Sequence, residues 1–82
     1  MKKTKIKALA LINDEGNRYT LAAFGTKPDK ETVKKIIAAY NLMFQEDDTA
    51  DELNKLVESL IKNKTAYHDG DRYYFETVTL YQ

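Results

Sequence analysis

The chain has 82 residues, no cysteine, and 13 basic against 13 acidic residues. This length is typical of one domain with a single small core, so we predict one domain over residues 1–82. The absence of cysteine excludes disulfides, thiolate metal sites and a cysteine nucleophile. Zero net charge argues against strong non-specific nucleic-acid binding, which needs a basic excess. The longest apolar run near the N-terminus, residues 8–12, is too short for a signal-peptide core or a membrane span, so we expect a cytoplasmic protein that does not bind a membrane.

The first part of the chain predicts an antiparallel β-hairpin. Residues 4–13 have the pattern of a strand, and both of its faces become apolar from Ala8 onward, which is typical of a central strand. Residues 13–17 are rich in Asn, Asp and Gly, the residue types that favour tight turns. Residues 18–24 then predict the return strand.

Two amphipathic helices are predicted next, over residues 28–44 and 50–62. Apolar residues at helical spacing mark the first stripe: Val33, Ile36, Ile37, Tyr40 and Phe44. The second stripe has the same spacing: Leu53, Leu56, Val57, Leu60 and Ile61. Thr26 is the predicted cap of the first helix, and Thr49 with Glu52 matches a capping box for the second. The short connection predicts that the two helices are antiparallel.

The C-terminal part predicts a short strand over residues 66–68 and a long one over 72–81, joined at Asp69-Gly70. This dipeptide is favoured in two-residue type I′ turns. The element order is therefore ββαα(β)β. It predicts an α+β two-layer sandwich, in which an antiparallel sheet of three or four strands is covered on one face by a helical hairpin.

His68-Asp69-Gly70-Asp71 is the stretch that most resembles chemistry. It could belong to a divalent metal site or a calcium loop, but His68 is the single histidine, and the calcium pattern needs a later glutamate at fixed spacing. The tight turn needs only Asp69 and Gly70, so we favour the turn. We predict no catalytic residue, no metal and no cofactor, and hence no enzyme.

The acidic residues Glu46, Asp47 and Asp48 precede the second helix and exceed what one helix terminus requires. Carboxylates near a helix start are often only electrostatic stabilisers. The alternative is an acidic surface that docks a basic partner, and we keep these three residues as candidate partner-binding residues.

The aromatic residues of the tail form a second candidate surface. Strand alternation places Tyr73, Phe75 and Tyr81 on one face, and we expect the other, more aliphatic face to lie under the helices. Exposed aromatics could form a protein interface or stack the bases of single-stranded nucleic acid. Stacking would need a basic groove, which Lys2, Lys3, Lys5 and Lys7 could supply only if the first strand lies beside the last.

These observations predict a non-catalytic protein–protein interaction module. Small neutral domains of this kind are common among accessory and inhibitor proteins of phage and mobile elements, and by this association we expect such a role. A homodimer through the sheet face or an edge strand is compatible with the pattern. The alternative is single-stranded nucleic-acid binding through the aromatic sheet face and the N-terminal lysines.

Overall fold

The computed structural model describes residues 2–45 and 49–81. Its elements follow the predicted order, with bounds as follows: β1 Lys3–Ile12, β2 Arg18–Phe24, α1 Lys30–Tyr40, a 3₁₀ turn Leu42–Gln45, α2 Ala50–Asn63, β3 Thr65–His68 and β4 Asp71–Tyr81. The fold is the predicted α+β arrangement of an antiparallel sheet and two helices. Neither helix in these two ranges is long and apolar enough to cross a membrane.

The four strands lie in the order β2-β1-β4-β3, and every neighbouring pair is antiparallel. The two central strands pair along their whole length, from Lys3 opposite Tyr81 to Ile12 opposite Arg72. This adjacency of the first and last long strands is the condition that the sequence left open. A register shift between Leu9 and Ala10 interrupts the pairing of β1 with β2.

The helices cover only one half of the long strands. At about 1.5 Å per residue, α1 and α2 extend about 16 and 21 Å, whereas at about 3.3 Å per residue β4 extends about 36 Å. The helices lie over the half of the sheet that contains Leu9, Leu11 and Tyr73, each at most 1% exposed. The other half of β1 and β4 therefore extends beyond the helical layer.

The covered face is the opposite of the one expected for β4. Tyr73 is fully buried in the core among residues of both helices, such as Ile37 and Leu60. Alternation then places Phe75 on the same face, where it packs against the core, and turns Val78 and Leu80 away from the helices. The expectation was wrong because the helices lie over the start of β4, where Tyr73 provides the large side chain that they cover. The aliphatic residues Val78 and Leu80 lie further along the strand, beyond the helices.

The helix ends differ from the predictions in their capping residues. Asp29, not Thr26, caps α1, because its carboxylate accepts a hydrogen bond from the Thr32 amide at 2.8 Å. Thr49 occupies the N-cap of α2 but makes no side-chain capping bond, and its hydroxyl donates instead to the Met43 carbonyl at 3.1 Å. The left-handed residue that ends α2 is Lys64, with φ of 65°.

The β3–β4 connection is the predicted tight turn. Asp69 and Gly70 have φ of 50° and 87°, and a type I′ turn requires positive φ at both central residues. A Cβ atom added at Gly70 would lie 3.3 Å from the Asp14 Cβ, so this turn packs against the β1–β2 turn.

We expect Gly70→Ala to lower the free energy of unfolding by about 1–2 kcal/mol, because the left-handed conformation strains a residue that has a Cβ. Gly16→Ala is the matched control, since Gly16 has φ of 85° but nothing within 4 Å of an added Cβ. Chemical denaturation should therefore show a larger loss at Gly70 than at Gly16. Equal losses would mean that the contact with Asp14 contributes nothing.

Candidate binding groove

A groove of about 620 Å³ lies where the sheet emerges from under the helices. Its floor is the helix-side face of β1 and β4, and its walls are the β2–α1 connection and the C-terminal end of α2. The lining residues are Lys5, Ile6, Lys7, Gly25, Thr26, Lys27, Pro28, Ile61, Lys64, Phe75 and Thr77. The groove exists because the helices are too short to cover the long strands.

Four exposed lysines surround this groove: Lys5, Lys7, Lys27 and Lys64. Lys5 and Lys7 share a face of β1 with the buried Leu9, because alternate residues of a strand point to one side. None of the residues that line the groove is acidic, within the part of the chain that the structure describes. A chain without net charge thus concentrates positive charge on one concave surface.

The strand β4 supplies the polar and aromatic part of the same face. The Lys7 ammonium donates a hydrogen bond to the Thr77 hydroxyl at 3.0 Å. Further along, the Lys3 ammonium lies 5.8 Å from the centroid of the Tyr81 ring, within cation–π range. The row of lysines on β1 therefore runs beside Phe75, Thr77 and Tyr81 on β4.

The predicted aromatic residues have three different environments. Tyr73 lies in the core and is not accessible to a partner, which corrects its assignment to an open face. Phe75 is half-buried and lines the groove, and Tyr81 is 62% exposed at the far end of β4. The predicted acidic residues Glu46, Asp47 and Asp48 lie outside the described residues.

The face of the sheet away from the helices carries a polar network rather than an aromatic patch. The Tyr74 hydroxyl accepts a hydrogen bond from Arg18 Nε at 2.8 Å, and Arg18 also pairs with the Glu76 carboxylate. The Arg72 guanidinium lies 5.2 Å from the centroid of the Tyr74 ring. These mutual contacts occupy the polar groups at the centre of this face.

His68 lies at the end of β3 beside the β3–β4 turn and is not part of the groove lining. Its Nε2 is 3.4 Å from the Glu52 carboxylate, and its ring centroid is 4.8 Å from that of Phe44. Within residues 2–45 and 49–81, no three His, Asp or Glu side chains are grouped as a metal site would require. The ring thus packs against the helical layer, and Asp69 beside it serves the turn.

Two carboxylates on the helices have pKa values below their usual range. Hydrogen bonds from Thr32 lower the pKa of Asp29, and a hydrogen bond from Lys30 lowers the pKa of Glu58. The favourable contribution of Asp29 to α1 is therefore present above the ordinary pKa of 3.8 and is lost as the pH falls through the lowered value. Both groups are exposed and lie outside the groove lining.

Sequence reasoning missed Lys27 and Lys64 as parts of a site. Each looked like a local feature, one in a connection and the other at a helix end, where cations are common. Their separation along the chain gives no sign that they meet across one groove. The basic row at Lys5 and Lys7 was visible in the sequence, but its partner surface was not.

Comparison with protein-family models, with curated proteins and with solved structures finds no match to this chain. The groove and the physical chemistry of its lining are therefore the basis for inferring a function.

Proposed function

We propose that this chain is a non-catalytic protein-binding module that binds an acidic segment of a partner protein in the groove surrounded by Lys5, Lys7, Lys27 and Lys64. The observation that carries the proposal is the lining, in which four lysines and no described acidic residue surround the concave surface. Such a surface favours a partner of opposite charge and rejects one of like charge, which gives specificity and faster association.

The apolar part of the lining indicates what else the segment should carry. Pro28, Ile61 and Phe75 contribute apolar surface between the lysines. Interfaces gain most of their free energy from a few anchor side chains buried in a pocket and surrounded by a polar rim. We therefore expect a partner segment with one large apolar side chain flanked by Asp or Glu.

Single-stranded nucleic acid is the second candidate, and the adjacency of β1 and β4 favours it. Lysines and aromatics do lie side by side on neighbouring strands. However, Phe75 and Tyr81 are six residues apart, about 20 Å along a strand, and the residues between them on this face are threonines. Successive bases need more closely spaced aromatic platforms for stacking, so the acidic segment ranks first.

Fluorescence anisotropy with labelled ligands separates these candidates. The probes are an acidic peptide with one central leucine, the same peptide with lysine in place of each acid, and an oligothymidylate. We expect saturable binding of the acidic peptide and no saturable binding of the lysine peptide.

The oligothymidylate provides the contradicting outcome. If all four lysines contacted phosphates, log K would fall with log salt with a slope of about −3. Tighter binding of the oligonucleotide than of the acidic peptide, with such a slope, would replace the proposal by the second candidate. Absence of saturable binding to either ligand would remove the groove from the functional argument.

Two further statements stay predictions from size and composition. One is a cytoplasmic location, and the other is a role as an accessory or inhibitor protein of a phage or mobile element. The acidic residues Glu46, Asp47 and Asp48 likewise stay a predicted second contact surface.

A further inference from the structure

The central strands extend beyond both of their neighbours as a two-stranded ribbon. On one side, β2 pairs with β1 only from Lys7 onward, which leaves residues 3–6 as an edge. On the other side, β3 pairs with β4 only as far as Tyr74, which leaves residues 76–81 as an edge. A two-stranded ribbon is marginally stable by itself, so its edges are places where a further strand would stabilise it.

The two edges differ in how they are protected against pairing. The β1 edge carries Lys3 and Lys5, and lysines on an edge strand discourage pairing with another chain. The β4 edge, residues 76–81, has the sequence Glu-Thr-Val-Thr-Leu-Tyr, without lysine or proline. Its pairing with β1 is regular and without a bulge. It is therefore the edge that remains open to a strand.

Backbone groups along this edge lack partners within the described residues. The Phe75 amide points toward the β3 side, because it donates to the Lys64 carbonyl at 3.0 Å. Backbone groups of alternate residues in an antiparallel strand point to the same side. Thr77, Thr79 and Tyr81 therefore present both N–H and C=O to the open edge.

We propose that β4 pairs with β4 of a second copy of this chain, antiparallel and with a twofold axis at Thr79, which joins the two sheets into one. In an antiparallel pair, directly opposite residues point to the same face of the sheet. A twofold axis normal to the sheet must therefore set one residue opposite its own copy, and it cannot lie between two consecutive residues. The axis at Thr79 sets Thr77 opposite Tyr81 and Val78 opposite Leu80.

The side chains of β4 are compatible with this self-pairing. No charged residue is paired in residues 77–81, so no like charges are set opposite each other. Aliphatic, threonine and aromatic cross-strand pairs are the favourable ones. The pairs Val78–Leu80 and Thr77–Tyr81 each occur twice by symmetry, and Thr79 meets its own copy at the axis.

The count of hydrogen bonds distinguishes this register from its neighbour. The Thr79 pair exchanges two backbone bonds, and each Thr77–Tyr81 pair exchanges two more, about six in all. An axis at Val78 would set Tyr81 opposite Phe75, whose amide is already donated to Lys64. With the axis at Val78, Thr77 of each copy would lie opposite Thr79 of the other, and these two pairs would make about four backbone hydrogen bonds. The axis at Thr79 gives more hydrogen bonds and is therefore favoured.

The dimer also changes the binding groove. Thr77 lines the groove, and Tyr81 of the second copy would lie opposite it on the same face. The exposed Tyr81 thereby gains a contact surface, and both grooves open on one side of an eight-stranded sheet. The dimer does not depend on the identity of the groove ligand.

Light scattering over the micromolar to millimolar range tests the proposal. We expect the molar mass to rise toward twice the 9.5 kDa of one chain. Thr79→Pro should keep the fold, because its amide faces the open edge where proline is tolerated. It should weaken dimerisation about tenfold or more by removing two hydrogen bonds.

Further variants keep the test independent of the proline. Thr79→Lys retains the amide but sets two like charges together at the axis, and it should also dissociate the dimer. Thr79→Val retains both the amide and the strand preference, and it should leave the dimer intact. Circular dichroism confirms that each variant is folded.

Cysteine cross-linking tests the register of the β4–β4 pairing directly. Because the natural chain contains no cysteine, a disulfide can form only at the cysteine that is introduced. Thr79→Cys should form a disulfide-linked dimer under mild oxidation, because opposite Cα atoms in such a pair are about 5.5 Å apart. Val78→Cys should not. A single-chain mass at every concentration, a dimer that survives in Thr79→Pro, or faster cross-linking at Val78 than at Thr79 would each overturn the proposal.

Discussion

Replacing Tyr73 by alanine is expected to destabilise the protein more than any other single aromatic substitution in the tail. The ring is fully buried between the sheet and both helices, so its removal leaves a large cavity in the only core cluster of the described residues. Truncating a buried aromatic to alanine costs about 3–5 kcal/mol. A domain of 82 residues has a total stability of only about 4–12 kcal/mol.

Tyr73→Phe separates the ring from its hydroxyl. The hydroxyl oxygen is buried and makes no hydrogen bond within the described residues. The nearby Asn41 side chain lowers the pKa of this hydroxyl, but the opposite effect of burial is larger. Removing an unpaired buried hydroxyl should leave stability unchanged or raise it by about 1 kcal/mol. Urea denaturation measures both variants, with Tyr67→Ala as an exposed control expected within about 0.5 kcal/mol of the wild type.

The same residue predicts a dependence on alkaline pH. Burial raises the pKa of the Tyr73 hydroxyl above the ordinary value of 10.0, because the ionised form is poorly solvated in the core. Stability from this group is therefore complete below pH 10.0 and is lost as the pH rises toward the raised pKa of the folded state. Tyr73→Phe should lose less stability than the wild type above that pH. A loss of more than about 1 kcal/mol in Tyr73→Phe at neutral pH would show that the hydroxyl is well paired.

Reversing two lysines of the groove should abolish most binding of an acidic segment. Lys5 and Lys27 are suitable, because both are exposed and neither donates a hydrogen bond within the described residues. Each reversal replaces an attraction by a repulsion, at a cost of about 1.4 kcal/mol. We therefore expect Lys5→Glu with Lys27→Glu to weaken the peptide about a hundredfold.

The matched control changes the same charge elsewhere. Lys35→Glu with Lys55→Glu alters the net charge equally, but neither residue lines the groove. In an anisotropy titration, the control variant should bind the acidic peptide with nearly wild-type affinity. The residual binding of the Lys5→Glu, Lys27→Glu variant should depend much less on salt concentration than the binding of the wild type. Equal losses in both double variants would indicate a general charge effect and would contradict a site at the groove.

The order and type of the elements were determined by local patterns in the sequence. The apolar residues from Val33 to Ile37 and from Leu53 to Leu60 recur three and four positions apart. This spacing matches the period of an α-helix and predicts two amphipathic helices. The Asp69-Gly70 turn follows from the positive φ that its geometry requires at both positions. The fold class is confirmed because these signals depend on residues that are close in the chain.

Which face of β4 is buried follows from the packing of the helices on the sheet and could not be predicted from the sequence. Both faces of that strand carry large apolar side chains, Tyr73 and Phe75 on one and Val78 and Leu80 on the other. Alternation separates the two sets but cannot rank them. The ranking comes from where the short helices lie along the long strands, and that depends on packing between distant parts of the chain.

The candidate groove was likewise decided by non-local pairing. Lys3 and Tyr81 are paired across nearly the whole chain, and Lys27 and Lys64 reach the same groove from a connection and a helix end. The sequence alone predicts three or four strands, two helices and a basic row at its start, because these patterns involve residues that are close in the chain. The tertiary structure determined that this row lies beside the last strand, in a groove that the helices are too short to cover.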